Sequence, residues 1–143
     1  MVKISNKSIG LLGGSFDPAH TGHLEISKIA IKKIKLNKIL WIVTKKNPFK
    51  RKSFYSLQQR LNLAKKIAKK VKKINVVYLD KVVKSTRSIN VINYLINKKK
   101  IKNIYFIIGS DNLIKFHKWK SWKKIVKLTK LIVFSRKGYD RRG

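Results

Sequence analysis

The sequence lacks cysteine and is poor in acidic residues and long apolar runs, and these shortages exclude several classes of protein. Without cysteine, the chain has no disulfide framework, thiolate zinc site or cysteine nucleophile. No apolar run approaches the roughly 18 residues of a membrane span, and the N-terminus lacks the apolar stretch of a secretory signal. At 143 residues the chain has the length of one domain. We expect a cytoplasmic, soluble protein with no membrane partner.

The charge balance is extreme, because 37 basic residues stand against 5 acidic ones and give a formal net charge of +32. Such a chain attracts polyanions, yet its 43% of hydrophobic residues exclude a disordered polyelectrolyte. Only 6 of the basic residues are arginine and 31 are lysine, whereas readers of base edges depend on the arginine fork. The composition therefore favours a solvated basic surface that binds nucleic acid only non-specifically.

Short apolar runs alternate with segments of helical periodicity along the whole chain. Helices are predicted over Gly22–Leu36, from about Ser56, and over Ile89–Ile96. The apolar runs predict five strands, over Ser8–Gly14, Lys38–Val43, Asn75–Leu79, Ile104–Gly109 and Leu131–Ser135. This alternation predicts an α/β fold: a Rossmann-like, doubly wound, mainly parallel five-stranded sheet with helices on both faces. Ligands of such sheets bind at the carboxyl ends of the strands.

The loop between the first strand and the first helix, Gly13 to His23, reads GGSFDPAHTGH and carries the sharpest signal. Paired glycines let backbone approach a ligand, and the helix N-terminus that follows offers N–H groups to an anion. His20 and His23 are spaced to point at one place, which Gly22 keeps open. The pattern predicts a phosphate site, although capping of the helix by both histidines is the alternative.

Other phosphate and metal motifs do not fit this loop. It matches neither G-x-G-x-x-G nor the G-K-[ST] ending of a Walker P-loop. The nearby carboxylates are Asp17 and Glu25, and the loop contains no H-E-x-x-H. No protein-bound metal site is expected.

The motif His20-Thr21-Gly22-His23 resembles the signature of the H-x-G-H nucleotidyltransferase superfamily. Within that superfamily, GGSFDP followed by a histidine is similar to bacterial nicotinate-nucleotide adenylyltransferase. A second match is Gly109-Ser110-Asp111-Asn112-Leu113 followed by Trp119 and Trp122, which is similar to the family's G-x-D-N-L and W-x-x-W. The segments Asn47–Lys50 and Ser135–Tyr139 also match, so the resemblance covers essentially the whole chain.

The resemblance implies an enzyme that transfers AMP from ATP to nicotinate mononucleotide, giving deamido-NAD and pyrophosphate in NAD biosynthesis. ATP would bring Mg²⁺, and His20 and His23 would be the catalytic residues. Ser88 and Trp119 would bind the mononucleotide. The resemblance assigns the nucleotide and its phosphates to Gly13, Gly14, Ser15, Phe16, Asp17, Lys50, Gly109, Asp111 and Arg136.

Two departures from the family pattern qualify this interpretation. Family members continue into an I-S-S-T-x-I-R-like motif, whereas this chain ends at Gly143. We therefore expect one domain over 1–143 that lacks the family's C-terminal part, binds ATP weakly and forms deamido-NAD slowly at most. Asn90 stands where the family often has a carboxylate. Two alternatives stay open: a related adenylyl- or cytidylyltransferase with another phosphate acceptor, and a non-catalytic basic domain that binds nucleic acid.

Overall fold

The computed structural model describes residues 8–14, 16–45, 55–83, 87–113, 116–118 and 121–134, with backbone alone at positions 111 and 112. The strands are β1 (Ser8–Gly14), β2 (Lys38–Val43), β3 (Ile74–Val77), β4 (Asn103–Gly109) and β5 (Lys130–Phe134). A 3-10 turn spans Phe116–Lys118. The helices are α1 (Thr21–Ile34), α2 (Leu57–Ala68), α3 (Asp80–Val83), α4 (Ser88–Asn97), α5 (Ser110–Leu113) and α6 (Trp122–Leu128).

The strands form one parallel sheet in the order β3-β2-β1-β4-β5, which confirms the predicted doubly wound architecture. The chain winds outwards from β1 through β2 to β3 and then returns to place β4 on the other side of β1. Because such crossovers are right-handed, reversing the direction of winding moves the helices to the opposite face of the sheet.

Two buried clusters, one on each face of the sheet, confirm this layering. The first joins α1 and α2 to the sheet through Leu24, Trp41 and Ala64. The second joins α4 and α6 to the sheet through Ile92, Ile125 and other apolar side chains. Burial on both faces explains why the central strands are continuously apolar.

Some boundaries differ from those predicted. The third strand ends at Val77 rather than Leu79, because β3 pairs with β2 only from Ile74 to Val77. The helical turn α3 lies where the sequence predicts a loop, since four residues are too few to show helical periodicity. The fifth strand ends at Phe134, and its predicted last residue, Ser135, lies outside the described residues.

The direction of winding reverses between β1 and β4, which is the switch point where sheets of this kind form a crevice. Their pairing runs from Ser8 opposite Asn103 to Leu12 opposite Ile107, although both strands extend two residues further. On its other side β1 remains paired with β2 as far as Gly14. In open α/β sheets the ligand binds at such a switch point.

None of the helices in the described ranges combines the length and the apolar character that a membrane span requires.

Candidate functional site

The loop that follows β1 is anchored by a buried aromatic side chain. Phe16 adopts a left-handed backbone conformation, with φ 48°, and its side chain is 3% exposed. Its ring stacks on Trp41 of β2 at a centroid distance of 5.3 Å and lies 4.5 Å from the ring of His23. Aromatic contacts of this kind stabilise a defined geometry. The apolar anchor therefore fixes the loop and the first turn of α1 to the sheet.

His20 and His23 cap α1 reciprocally. The N–H of Gly22 donates to Nδ1 of His20 at 2.9 Å, and the N–H of His20 donates to Nδ1 of His23 at 3.0 Å. This arrangement is a capping box in which imidazoles take the places usually held by Ser or Thr and by Glu or Gln. Both rings therefore cap the helix, whereas phosphate binding by them stays a prediction.

The caps also decide what the two histidines present to a ligand. An Nδ1 atom that accepts a backbone N–H carries no proton, so the proton of each neutral ring is on Nε2. The two rings lie together, with centroids 4.1 Å apart, at the N-terminus of the 14-residue helix α1. This terminus carries partial positive charge and favours anions. Two imidazole N–H donors at a helix N-terminus are suited to bind phosphate oxygens.

Gly22 is required by the position of the His20 ring. A Cβ atom added at Gly22 would lie 2.6 Å from Cε1 and 2.8 Å from Nδ1 of His20. Real Cβ atoms essentially never approach other atoms so closely, so a larger residue would displace the ring from its cap. Gly13 differs, because among the described residues a Cβ there would meet the carbonyl oxygen of Ile42 alone, at 4.0 Å. The described residues therefore leave room at Gly13 for close approach by a ligand.

A buried hydrogen-bond chain fixes the first turn of α1 against β2. The indole Nε1–H of Trp41 donates to Oγ of Ser27 at 2.8 Å, and that hydroxyl donates to the carbonyl of His23 at 2.8 Å. Trp41 and Ser27 are both fully buried. Since unsatisfied buried donors are costly, these bonds hold the backbone of His23 in place.

Arg60 of α2 is buried and holds the carboxyl end of β2. Its Nη1 and Nη2 donate to the carbonyls of Thr44 and Lys45 at 2.7 and 2.8 Å, and its Nε donates to the carbonyl of Tyr55 at 3.2 Å. Only 2% of Arg60 is exposed. A guanidinium presents its donors in a fixed fork, so these bonds define the relative positions of the three carbonyls.

Asp17 links the loop between β1 and α1, which we call the histidine loop, to the segment just before α2. Its Oδ1 accepts the N–H of Tyr55 at 2.9 Å, just before α2 begins. The structure therefore gives Asp17 a contact that positions the loop, whereas binding of nucleotide by this residue stays a prediction.

Asp80 completes this arrangement at the end of β3. Its Oδ2 accepts the N–H of Lys45 at 2.8 Å, whereas Oδ1 is buried without a hydrogen-bond partner among the residues that the structure describes. Burial raises the pKa of the Asp80 carboxyl, and the hydrogen bond from Lys45 and the charges of Lys45 and Arg60 oppose that shift only in part. The ionised carboxylate is therefore a source of instability.

Replacing Asp80 with asparagine is expected to change how stability depends on pH. A carboxyl whose pKa is raised by folding binds more protons in the native state, so wild-type stability falls as pH rises from the ordinary Asp value to the raised one. Asp80→Asn retains the acceptor for Lys45 but cannot ionise. In urea unfolding, the free energy of unfolding of the variant minus that of wild type should be larger at pH 7 than at about pH 3.5. An unchanged difference between these pH values would contradict the prediction.

The structure places several of the predicted site residues at the carboxyl edge of the sheet. Gly13, Gly14 and Gly109 end the two central strands, and Ser88 is the half-buried first residue of α4. The backbone of Asp111 lies in α5, directly after β4. The other predicted residues lie outside the described residues: Ser15, Lys50, Trp119 and Arg136.

Four supporting residues were not identified from the sequence: Ser27, Trp41, Arg60 and Asp80. For Arg60 a signal was present, because it lies three residues after Leu57 and four before Ala64, on the apolar face of α2. A cation on a buried face needs partners, which indicates a structural role. Asp80 is one of only 5 acidic residues and follows the apolar third strand.

Comparison with known proteins agrees with the family that the sequence motifs resemble. Residues 11–141 match the model of the cytidylyltransferase-like family. A Pelagibacter ubique protein named "Probable nicotinate-nucleotide adenylyltransferase" is 54% identical over 94% of this chain and 74% of its own length. An Aliarcobacter butzleri protein of the same name is 35% identical over 92% of this chain and 72% of its own length.

Solved structures show the same fold. The nicotinic acid mononucleotide adenylyltransferase of Plasmodium falciparum, complexed with NaAD, has a TM-score of 0.81 at 20% identity. That alignment covers 94% of this chain and 67% of the Plasmodium chain. A second structure of the Plasmodium enzyme, complexed with APC, has a TM-score of 0.78.

Proposed function

This chain belongs to the nicotinate-nucleotide adenylyltransferases, within the cytidylyltransferase-like family, and on that basis we propose that it transfers AMP from ATP to nicotinate mononucleotide. The products are deamido-NAD and pyrophosphate, so the enzyme contributes to NAD biosynthesis. The observation that carries the proposal is the pair of imidazoles that cap α1 at the β1 end of the crevice. The cytoplasmic location that the sequence predicts stays a prediction.

The proposed reaction is a single in-line displacement. A 5′-phosphate oxygen of the mononucleotide forms a bond to the α-phosphorus of ATP, and the bond from that phosphorus to the oxygen bridging to the β-phosphorus breaks. The bridging electrons leave with pyrophosphate. Because little covalent chemistry falls to the protein, its contribution is to position two anions and stabilise charge on the phosphoryl oxygens.

His20 and His23 supply that stabilisation in the proposal. Their Nδ1 atoms are occupied by the capping bonds, so each ring donates through Nε2–H to oxygens of the ATP phosphates. The donors are preorganised, since the caps, the Phe16 contact and the Ser27–Trp41 chain fix the rings before substrate arrives. The backbone of Gly13 and Gly14 is proposed to add further donors, and the positive end of the α1 dipole favours the phosphates although the N–H groups of Gly22 and His23 are already bonded within the cap.

Mg²⁺ is proposed to accompany ATP. Among the residues described here, no group of three or more His, Cys, Asp and Glu is arranged to hold a metal ion. Mg²⁺ retains much of its water and is held chiefly by substrate phosphates in such enzymes, where it neutralises their charge. Residues of the chain then bind the phosphate oxygens that the ion leaves exposed.

The remaining predicted residues are assigned to the two substrates. Trp119 is proposed to stack on the pyridine ring, because a flat aromatic face suits a planar heterocycle. Ser88, the first residue of α4, is proposed to contact the mononucleotide. Asp111, which follows β4, is proposed to bind the nucleotide with Gly109. Ser15, Asp17, Lys50, Arg136 and the backbone of Phe16 complete the proposed nucleotide site.

An acceptor panel tests the function directly. The chain is incubated with Mg²⁺ and either ATP or CTP, and with nicotinate mononucleotide, nicotinamide mononucleotide or phosphopantetheine as acceptor. We expect pyrophosphate release and deamido-NAD formation with ATP and nicotinate mononucleotide, and loss of both in a His20→Ala, His23→Ala double variant. Greater kcat/KM for another acceptor, or turnover that survives in the double variant, would contradict the proposal.

A further inference from the structure

Most of the lysines that the structure describes lie at one edge of the fold. In a doubly wound sheet each helix runs antiparallel to the strands, so helix C-termini and strand N-termini meet at the same edge. We call this edge, formed by the connections α1–β2, α2–β3, α4–β4 and α6–β5, the amino edge. It is opposite the edge that carries the histidine loop and the crevice.

Exposed lysines occupy every one of these connections. The α1–β2 connection contributes Lys32, Lys33, Lys35 and Lys38. The α4–β4 connection contributes Lys98, Lys99, Lys100 and Lys102, and the α6–β5 connection contributes Lys127 and Lys130. The most basic is the α2–β3 connection, with Lys65, Lys66, Lys69, Lys70, Lys72 and Lys73.

The acidic residues that the structure places lie at the opposite edge. Asp17 is in the loop after β1, Asp80 follows β3 and Asp111 follows β4. Glu25 is near the start of α1 and pairs there with Lys28 at 3.6 Å. Within the described ranges the amino edge therefore has no carboxylate to neutralise its lysines.

Helix dipoles explain only part of this concentration. A cation stabilises the last turn of a helix, which accounts for lysines such as Lys66 and Lys127. It does not account for Lys38, Lys73 and Lys102, which lie at or just before the starts of strands. Like charges so close together repel one another and destabilise the folded chain. A polyanionic partner would remove that repulsion.

We propose that the amino edge is a sequence-independent docking surface for the phosphate backbone of nucleic acid. Five strands at the usual spacing of about 4.8 Å span about 19 Å, over which a DNA duplex carries about 11 negative charges. Lysine suits this partner, because its ammonium is a point charge for phosphates rather than a fork for base edges. The proposal is independent of adenylyl transfer, which takes place at the other edge.

An anionic membrane is the less suitable partner for the same charges. Stable binding at a membrane surface combines basic residues with exposed apolar side chains that insert between the lipids. Of the large apolar side chains exposed in the described chain, Val126 and Leu128 lie beside Lys127 in the α6–β5 connection, whereas Ile29, Tyr55, Val82, Leu113 and Val133 lie elsewhere and the three most basic connections have none. The three connections present lysine and asparagine instead.

Two variants with equal net charge test the proposal. The first, Lys69→Gln, Lys70→Gln, Lys72→Gln, Lys73→Gln, neutralises four lysines of the amino edge. The control, Lys81→Gln, Lys118→Gln, Lys123→Gln, Lys124→Gln, neutralises four exposed lysines located elsewhere. Binding to a fluorescent 20-base-pair DNA duplex and to a single-stranded RNA 20-mer, both of scrambled sequence, is measured by anisotropy between 50 and 300 mM NaCl, and circular dichroism confirms folding.

The amino-edge variant is expected to lose at least about tenfold in affinity at 100 mM NaCl, and the slope of log K against log salt should become shallower by about 2 to 4. The control should lose less than about threefold, and the amino-edge variant should keep wild-type adenylyl transfer. Equal losses in both variants, competition by ATP, or binding to phosphatidylserine vesicles without binding to nucleic acid would overturn the proposal.

Discussion

Replacing either His20 or His23 with alanine should lower kcat by about 10²-fold or more, the usual effect of removing a preorganised donor to a developing oxyanion. Each ring donates one Nε2–H in the proposed mechanism, and water entering the gap cannot reproduce a donor that is fixed in advance. The measurement is deamido-NAD formation at saturating ATP and mononucleotide. Near-wild-type kcat in both variants would remove the histidines from the catalytic mechanism.

Alanine also deletes a cap, so substitutions that retain the cap are the matched controls. Asparagine at position 20 can accept the N–H of Gly22 through its amide oxygen, and glutamine at position 23 can accept the N–H of position 20, as in an ordinary capping box. The free energy of unfolding of His20→Asn and of His23→Gln should lie within about 0.5 kcal/mol of the wild-type value. Both variants should still lose about 10²-fold in kcat. If these variants regain activity, capping alone is the function of the two rings.

Much of the fold could be predicted because each layer leaves its own pattern in the sequence. Strands buried on both faces read as unbroken apolar runs, as in Ile104–Gly109, and their alternation with amphipathic helices favours a parallel sheet. Strand order was not part of the prediction. The turn α3 was missed, since the four residues Asp80–Val83 are little more than one helical period and show no repeat.

The centre of the site was predictable for a different reason. The glycines and histidines of the site lie within one strand-to-helix loop, residues 13 to 23. Their relative positions are therefore set by short-range backbone geometry, which the sequence spacing records. The supporting contacts join positions far apart in sequence, such as Arg60 to Thr44 and Asp17 to Tyr55. No local pattern records such a pairing, so these contacts required the structure.

The cap and the proposed phosphate contact use different atoms of each imidazole. From the sequence, capping of the helix by both histidines was the alternative to a phosphate site. In the structure, Nδ1 of each ring accepts a backbone N–H at the start of the helix, which leaves the proton of the neutral ring on Nε2. An N-cap aspartate would give the helix the same bond without a donor, so in the proposed mechanism imidazole combines helix initiation with a preorganised phosphate contact.

Gly22→Ala should abolish most activity while leaving the fold intact. The new Cβ atom would lie 2.6 Å from Cε1 of His20, so the imidazole must rotate away from the cap and lose its catalytic position. Alanine within a helix gains about 0.5 to 1 kcal/mol over glycine, and loss of the His20 cap costs about 1 kcal/mol. The two effects nearly cancel in the free energy of unfolding, whereas kcat should fall by about 10²-fold, as in His20→Ala.

A double-mutant cycle identifies the cause of that loss. In a His20→Ala background there is no ring for the new Cβ atom to meet, so adding Gly22→Ala should lower kcat no further and should raise the free energy of unfolding by about 0.5 to 1 kcal/mol. The coupling between positions 20 and 22 would then equal the whole effect of Gly22→Ala. Independent, multiplicative losses in the double variant would instead mean that Gly22 makes room for the substrate itself, at the N-terminus of α1, rather than for the His20 ring.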